Sequence, residues 1–292
     1  MTHGSCCQGA NSTYNIRVGR ARKVTGPYLD NMGIDMLEGG GKLFAGSRGR
    51  HVGPGHFGLL DLGQGVQKFS LHYEADLDRG GVSVLDIRPL LWRDGWPLAG
   101  DNFAAGTYSI QSARTGTVLE LAVQGAPVGG FRARRNGATP PGAGPPAGAP
   151  PEVRVGPPVA DQEAAQVAAQ WPASTDLRLA PAMLQAQQKW KIAPVADGGG
   201  YPGSPYFRIT IDGTERALTA TADGELTTAG FTGAPTQLWR IDQLTDGDYR
   251  IMPKSAAGAN VSLVLSAVGS STVTLAKFDP ASDRQRWQIG AP

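Results

Sequence analysis

The sequence is poor in cysteine and has no long apolar run. Its 292 residues include 2 cysteines, the neighbours Cys6 and Cys7, between which a bridge is strained and which have no second partner to close a loop. A disulfide framework is therefore excluded. No apolar stretch approaches the roughly 18 residues of a membrane span, so we expect no membrane association. The first residues also lack the charged start and apolar core of a signal peptide, which taken alone predicts a chain that is not exported.

An excess of charge of one sign is missing as well. The chain has 27 Lys and Arg against 25 Asp and Glu, a formal net charge of +2, and no part of it is a basic arm. Nucleic acid is therefore not an expected partner. The sequence also contains no G-x-S-x-G, H-E-x-x-H or P-loop motif and no Cys/His spacing for zinc, which argues against the corresponding hydrolases, zinc enzymes and nucleotide-binding proteins.

Glycine and proline divide the chain into regions. Residues 14–101 consist of short apolar or alternating stretches separated by turn residues, a pattern typical of β-structure. Residues 125–158 are so rich in glycine and proline that they offer almost nothing to bury, and we predict a disordered insert there. The length allows two domains.

The second half contains an internal repeat that ends each time in Q-x-W-x-I. Three copies place Trp190, Trp239 and Trp287 at spacings of 49 and 48 residues, and each copy also contains an aromatic-x-Ile segment. Three copies at a near-constant period indicate pseudo-threefold packing, in which one unit alone cannot cover its apolar face. We expect the tryptophans to be core residues, each with its indole N–H bonded to a backbone carbonyl.

This repeat resembles the ricin-type β-trefoil, a carbohydrate-binding module, over residues 104–292 with the insert inside the first repeat. The resemblance implies a sugar site wherever a repeat supplies two groups. One is a carboxylate directly after the leucine of a G-x-x-L-D-V-like stretch, and the other is an aromatic platform for the sugar ring. No repeat has both parts. The residues compared are, in repeat order, Glu120, Thr219 and Val264 for the carboxylate and Pro181, Phe231 and Phe278 for the platform. The carbohydrate-binding candidates are therefore Glu120, Phe231 and Phe278.

The first hundred residues carry six motifs in a recognisable order. They are N-S-T-Y-N-I-R-V-G-R from Asn11, T-G-P-Y-L-D from Thr25, G-P-G-H from Gly53, H-Y at His72, I-R-P-L from Ile87 and D-G-W-P from Asp94. In this order they resemble glycoside hydrolase family 43, and most closely its endo-α-1,5-L-arabinanases. The resemblance implies a five-bladed β-propeller, of which residues 1–101 form only the last blades. The expected fold is therefore all-β, a partial propeller followed by a β-trefoil.

The resemblance also implies a reaction, the hydrolysis of arabinan with inversion. Such an enzyme needs two carboxyl groups roughly 6.5–9.5 Å apart across the scissile bond. In the family, the three catalytic acids lie upstream of the segment that contains Ser12. The catalytic site thus has no matching residue here, and we expect this chain alone to be inactive. By family resemblance the protein is a secreted hydrolase, and Met1 is expected to be an internal methionine of a longer product.

Two further functional assignments follow from the same resemblance. His56 matches the histidine that helps to hold a hydrated calcium ion in the arabinanases, although Phe57 follows it where the family commonly has asparagine. Asn11, Ser12 and Tyr14 are expected to line the substrate cleft. The expected partner is arabinan or another plant cell-wall glycan. The sequence leaves open endo-arabinanase against arabinofuranosidase specificity, a non-catalytic carbohydrate-binding protein, an inactive gene fragment, and the oligomeric state.

Overall fold

The computed structural model describes residues 1–122, 176–201, 203–221, 223–255 and 262–292, and within these ranges the chain is all-β. The predicted insert, residues 125–158, lies outside the described residues. In the described part, no helix is long and apolar enough to cross a membrane. The helical elements there are single 3₁₀ turns, Gly9–Asn11, Met36–Glu38, Leu77–Arg79, Ala186–Gln188, Pro235–Gln237 and Asp283–Gln285.

Two antiparallel sheets form the N-terminal part. A three-stranded sheet has the order β1-β2-β3, and a four-stranded meander has the order β4-β5-β6-β7, the form of a propeller blade. The strands are β1 (Thr2–His3), β2 (Asn15–Val18), β3 (Lys42–Ala45), β4 (His51–Asp61), β5 (Gln67–Asp76), β6 (Val82–Arg93) and β7 (Trp96–Ala99).

Strand β5 supplies the centre of the core between these sheets. Phe69, Leu71 and Tyr73 are buried and pack with Ile16 of β2 and Leu90 of β6. Successive side chains of a strand point to opposite faces, so the residues between these apolar positions face the other way. The alternation therefore presents a row of polar side chains on the opposite face of β5, from which the candidate site is built.

Six strands of the C-terminal part close into a barrel. Each pairs antiparallel with two others of the six, and the ring returns from the last strand to the first. Closure leaves the barrel with no unpaired edge. The barrel strands are β8 (Gly106–Ser112), β11 (Trp190–Pro194), β14 (Phe207–Ile211), β17 (Trp239–Gln243), β18 (Tyr249–Pro253) and β21 (Trp287–Gly290).

Each of the three repeats also contributes one antiparallel hairpin. With the six-stranded barrel they make a β-trefoil, so the all-β prediction of propeller-type strands followed by a trefoil is confirmed. The hairpins are β9 (Val118–Leu121) with β10 (Leu177–Ala180), β15 (Arg216–Ala220) with β16 (Leu226–Gly230), and β19 (Leu263–Val268) with β20 (Thr272–Lys277); a short pair, β12 (Gly200–Tyr201) and β13 (Ser204–Pro205), lies outside this set.

The two parts contact each other through polar groups. The backbone N–H of Trp92 donates to the Thr245 carbonyl at 2.7 Å, and the backbone N–H of Thr245 donates to the Gly65 carbonyl at 2.8 Å. Nearby, the Lys68 ammonium donates to the Gly203 carbonyl at 3.3 Å. Burial removes this ammonium from water and lowers the pKa of Lys68. The blade therefore meets the trefoil through directed hydrogen bonds.

Candidate functional site

The first candidate site lies on the polar face of β5. His72 and Glu74 occupy alternate positions there, and the His72 Nε2 lies 3.6 Å from a Glu74 carboxylate oxygen. The side chain of Glu74 is only 9% exposed and that of His72 is 26% exposed. A carboxylate held this far from water, with an imidazole beside it, is suited to holding a cation or orienting a polar ligand.

The G-P-G-H segment of β4 brings a second imidazole to the same place. Strand β4 bulges between Gly55 and Gly58 against β5, and His56 within this bulge has a φ of 50°. The His56 and His72 rings lie 4.5 Å apart between centroids with an interplanar angle of 37°. The bulge thus turns His56 onto the polar face of β5, as bulges near functional sites commonly do.

The segment that precedes β2 forms the neighbouring wall. The Tyr14 ring lies directly against Gly55, in space that any Cβ at that position would occupy. The Tyr14 hydroxyl donates to Thr2 Oγ1 at 3.0 Å, which fixes the ring at its far end. The structure therefore packs the Tyr14 ring on Gly55, the chain neighbour of His56, and only glycine at position 55 permits the approach.

The other two predicted substrate residues have different surroundings. Ser12 is 6% exposed, and its hydroxyl donates to the Ser5 carbonyl at 2.9 Å and accepts from the Tyr14 N–H at 3.2 Å. Asn11 is exposed in its 3₁₀ turn. Ser12 thus has an internal role, holding the loop that carries Tyr14, while the substrate contacts of Asn11, Ser12 and Tyr14 stay predictions.

Sequence reasoning missed the remaining groups at this site. One ligand atom each from Cys6, Cys7 and Glu74 lies within 4.8 Å of the others. A hydrogen bond with Cys6 raises the pKa of the Cys7 thiol, and the Glu74 charge raises it further. The sequence alone gives Glu74 no role and presents the cysteines only as bridge partners. The H-Y-E alternation of β5 was the available signal for Glu74.

The second candidate region is the set of three trefoil repeats. Trp190, Trp239 and Trp287 are completely buried, and each indole N–H donates at 2.9 Å to a leucine carbonyl. The three carbonyls belong to Leu119, Leu218 and Leu265. The predicted core role of the tryptophans is confirmed.

The glutamine of each Q-x-W has an equally regular function. Each Nε2 donates at 2.9 Å to a backbone carbonyl of the preceding loop. Each Oε1 accepts from the backbone N–H of the residue two positions after that carbonyl. One amide side chain thereby satisfies both polar groups of a tight loop, which a carboxylate or an apolar residue cannot do. The carbonyls and N–H groups belong to Pro181 and Met183 for Gln188, Gly230 and Thr232 for Gln237, and Lys277 and Asp279 for Gln285.

These equivalent bonds correct the register assumed from sequence. The carbonyl bonded by Trp287 belongs to Leu265, so Ser266 and not Val264 corresponds to Glu120 and Thr219. The glutamine loops likewise make Ala182, not Pro181, the counterpart of Phe231 and Phe278. The error arose because hairpin β19–β20 contains leucines at both 263 and 265.

Glu120 is a buried charge with defined partners. Its residue exposure is 3%; Arg178 Nε donates to one carboxylate oxygen at 2.7 Å and Gln188 Nε2 to the other at 2.6 Å. Both oxygens are thus engaged by the protein itself. The glutamine of Q-x-W therefore also anchors the only acid in this set of equivalent positions.

Each platform candidate is covered on one face by an arginine. The Arg208 guanidinium lies 5.4 Å from the Phe231 ring centroid, and that of Arg250 lies 4.5 Å from the Phe278 centroid. Arginine over an aromatic face is attractive. Both rings are partly exposed, so a ligand would stack on the remaining face. The sequence analysis missed these arginines, which come from the middle of the aromatic-x-Ile segments.

Phe278 also borders a cleft between the trefoil and the blade. The cleft has a volume of about 240 Å³. Arg250 crosses it and donates to the Gln64 carbonyl at 3.1 Å. Its lining residues include Gln64, Gly65, Asp246, Phe278, Gln285 and Arg286. The platform candidate of repeat three, Phe278, therefore borders a concave site, but the polar groups there differ from those expected from sequence.

Comparison with known proteins finds arabinanases. The chain is 39% identical over 97 residues to the extracellular endo-α-(1→5)-L-arabinanase 1 of Bacillus subtilis, covering 33% of this chain and 28% of that protein. It is 43% identical over 96 residues to the extracellular exo-α-(1→5)-L-arabinofuranosidase ArbA of Cellvibrio japonicus, covering 32% and 27%. No protein-family model matches the chain.

Comparison with solved structures also finds a lectin. The β-trefoil lectin of Vibrio vulnificus haemolysin/cytolysin, solved with N-acetyl-D-lactosamine, aligns with a TM-score of 0.39 at 14% identity, covering 65% of this chain and 96% of that one. The chain spans less than a third of the length of the two curated relatives. About a third of this chain is thus homologous to arabinan-degrading glycosidases.

Proposed function

We propose that this chain is the C-terminal portion of a secreted arabinan-degrading glycoside hydrolase, joined to a carbohydrate-binding trefoil. The observation that carries the proposal is the 39–43% identity to two extracellular arabinan-cleaving enzymes. The packing of Tyr14 on Gly55, next to His56, supports it, because these residues belong to two of the motifs that suggested the family. Endo- and exo-acting relatives match equally well, so the proposal stops at arabinan as the substrate.

In this proposal the chain's own groups bind and position, while the catalytic carboxylates come from elsewhere. Tyr14 offers a fixed ring, with Asn11 and Ser12 in its loop, for the rim of an arabinan cleft. His56 contributes to a calcium site. The donors near it include one carboxylate and two imidazoles. Calcium prefers six to eight oxygen ligands, so these residues fit a mostly hydrated ion that polarises or orients bound sugar.

The purified chain is expected to release no arabino-oligosaccharides from arabinan, with or without added calcium. The reason is that the family resemblance places the catalytic acids upstream of the segment with Ser12, so we expect the acid and base of inverting hydrolysis to lie outside this chain. Reducing-end assays and chromatography of the products measure this, with a full-length arabinanase as the positive control. If the chain releases oligosaccharides and a His56→Ala variant does not, the prediction of an inactive chain is wrong. Arabinan then still stands as the proposed substrate.

A second candidate function is carbohydrate binding by the trefoil alone. The cleft beside Phe278 favours it, because a partly exposed ring in a concave, polar-lined site is a common arrangement for stacking a sugar. Its volume of about 240 Å³ suits a short ligand rather than a long chain. The same site needs no catalytic group, so this function survives even if the chain cleaves nothing.

Phe278→Ala is expected to weaken sugar binding by roughly tenfold, the effect of losing about 1.4 kcal/mol of stacking. Isothermal titration against arabinan, xylan and galactose measures it. Tyr201→Ala is the matched control, because Tyr201 is an exposed aromatic residue of the same part of the chain. Heat with none of the three sugars would sink the binding function, and equal affinities for Phe278→Ala and the wild type would move the site elsewhere.

A further inference from the structure

We propose that Cys6, Cys7 and Glu74 form a binding site for a thiophilic divalent cation of the zinc class. The two thiolates and one carboxylate oxygen are its ligands, and a fourth position stays open to water. The proposal does not rest on the arabinanase assignment. It shares Glu74 with the calcium site proposed near His56 but takes its other two donors from the cysteines.

The separation of the ligand atoms is already close to what such an ion needs. The Sγ atoms and a Glu74 oxygen all lie within 4.8 Å of one another. In a tetrahedral zinc site, bonds of about 2.3 Å to sulfur and 2.0–2.2 Å to oxygen bring neighbouring ligand atoms roughly 3.5–3.8 Å apart. Both cysteines are exposed and unbridged, so their side chains are free to rotate toward this spacing.

The backbone that carries the cysteines is tied down on both sides. Ser5 donates its N–H to Thr13 Oγ1 at 2.9 Å, and its carbonyl accepts from Ser12 Oγ at 2.9 Å. On the other side the chain enters the 3₁₀ turn Gly9–Asn11 directly. Cys7 itself has a φ of 63°, a left-handed conformation that is uncommon for cysteine. The loop thus holds two adjacent thiols over the strand in a conformation with a local cost.

Strand β5 fixes the position of Glu74. It lies in β5 between the buried neighbours Tyr73 and Ala75, and its side chain is 9% exposed. His72 Nε2 lies 3.6 Å from one of its oxygens, close enough to orient the carboxylate once the other oxygen binds a cation. Second groups of this kind fix the direction of a metal ligand. The acid that faces the thiols is therefore preorganised by the sheet.

The donor set selects the class of ion. Thiolates are soft ligands that favour Zn²⁺ and related ions, whereas Ca²⁺ and Mg²⁺ favour oxygen alone. The exposure of both cysteines gives the ion a direct route from solvent. It also leaves room for water, or for a ligand oxygen, in the fourth position. The site is thus open in the manner of zinc sites that keep an exchangeable ligand.

The chain makes the test unambiguous, because Cys6 and Cys7 are its 2 cysteines. The reduced, desalted 292-residue chain is titrated with Co²⁺ and then with Zn²⁺. We expect a near-ultraviolet thiolate-to-cobalt charge-transfer band that saturates at one equivalent and is displaced by Zn²⁺ but not by Ca²⁺. Cys6→Ser and Cys7→Ser should each abolish the band.

Glu74→Gln distinguishes the three-ligand site from two thiols alone. We expect it to weaken cobalt binding by about 10–100-fold. Glu38→Gln is the matched control, since it removes the same charge from an exposed turn and should leave the affinity unchanged. A second readout is whether bound Zn²⁺ protects both thiols of the wild type from an alkylating reagent, as measured by mass spectrometry.

Two results overturn the proposal. One is a wild-type chain whose thiols titrate as free but that gives neither the cobalt band nor zinc protection. The other is a Glu74→Gln variant that binds cobalt as tightly as the wild type, which reduces the site to a pair of thiols. Circular dichroism and thermal unfolding of each variant show whether a lost band reflects a lost ligand or a lost fold.

Discussion

Trp239→Ala is expected to destabilise the trefoil by about 3–5 kcal/mol, enough to leave it largely unfolded if its stability is ordinary. The ring is completely buried, and its N–H donates to the Leu218 carbonyl at 2.9 Å. Alanine leaves a large cavity and also removes the indole donor from the Leu218 carbonyl of β15. Urea denaturation followed by circular dichroism measures the change in unfolding free energy.

Two variants isolate the cause of this loss. Trp239→Phe keeps most of the apolar volume but removes the N–H, so it should cost less, on the order of 1–3 kcal/mol for the unsatisfied carbonyl. Trp92→Ala removes a tryptophan that is 45% exposed and bonded to Gln67, and should cost well under the Trp239→Ala value. Equal unfolding midpoints for Trp239→Ala and Trp92→Ala would contradict the core role.

Glu120→Ala is expected to cost about 3–5 kcal/mol, the usual loss when one partner of a buried ion pair is removed. The Glu120 side chain is 4% exposed, and its carboxylate accepts from both Arg178 and Gln188. Alanine leaves the guanidinium without its counter-charge and frees the amide that fixes the Q-x-W loop. Thermal and urea unfolding at neutral pH measure the effect.

Glu215→Ala is the control for Glu120, because it removes a carboxylate that pairs with Arg208 at 3.9 Å but is 85% exposed. A surface pair of this kind contributes about 0–1 kcal/mol. Similar losses for the two variants would show that the buried network of Glu120 adds nothing. A sugar-binding assay on Glu120→Ala therefore needs its stability alongside, since an unfolded first repeat also loses affinity.

The features that recur along the sequence were predictable from it. Trp190, Trp239 and Trp287 stand at near-equal spacings, and a large ring repeated in this way must fill equivalent positions of a packed core. That inference gave the pseudo-threefold packing and the bonding of the indole N–H groups, while the trefoil itself came from the resemblance of the repeat to a known family. The alternation of Phe69, Leu71 and Tyr73 likewise predicts a strand with one buried face, since the period of a strand is two.

The features that depend on pairing between distant segments were not predictable. Cys6 and Glu74 meet because the loop before β2 folds over β5, and no local pattern records that contact. The register of the third repeat failed for a similar reason, because leucines at 263 and 265 both fit the pattern and only the barrel decides between them. The contact of Arg250 with Phe278 likewise joins residues from two separate segments of the third repeat, and the local sequence does not show it.

The first hairpin of the trefoil has a further consequence. Leu121 of β9 pairs with Leu177 of β10 across a connection far longer than those of the other two hairpins. All three hairpins are nevertheless antiparallel pairs without a shift in register. Closing a loop costs only about 0.6 kcal/mol for each doubling of its length, so the long connection adds little to the cost of forming this hairpin. The number of residues between positions 122 and 176 is therefore expected to have little effect on the unfolding free energy of the trefoil.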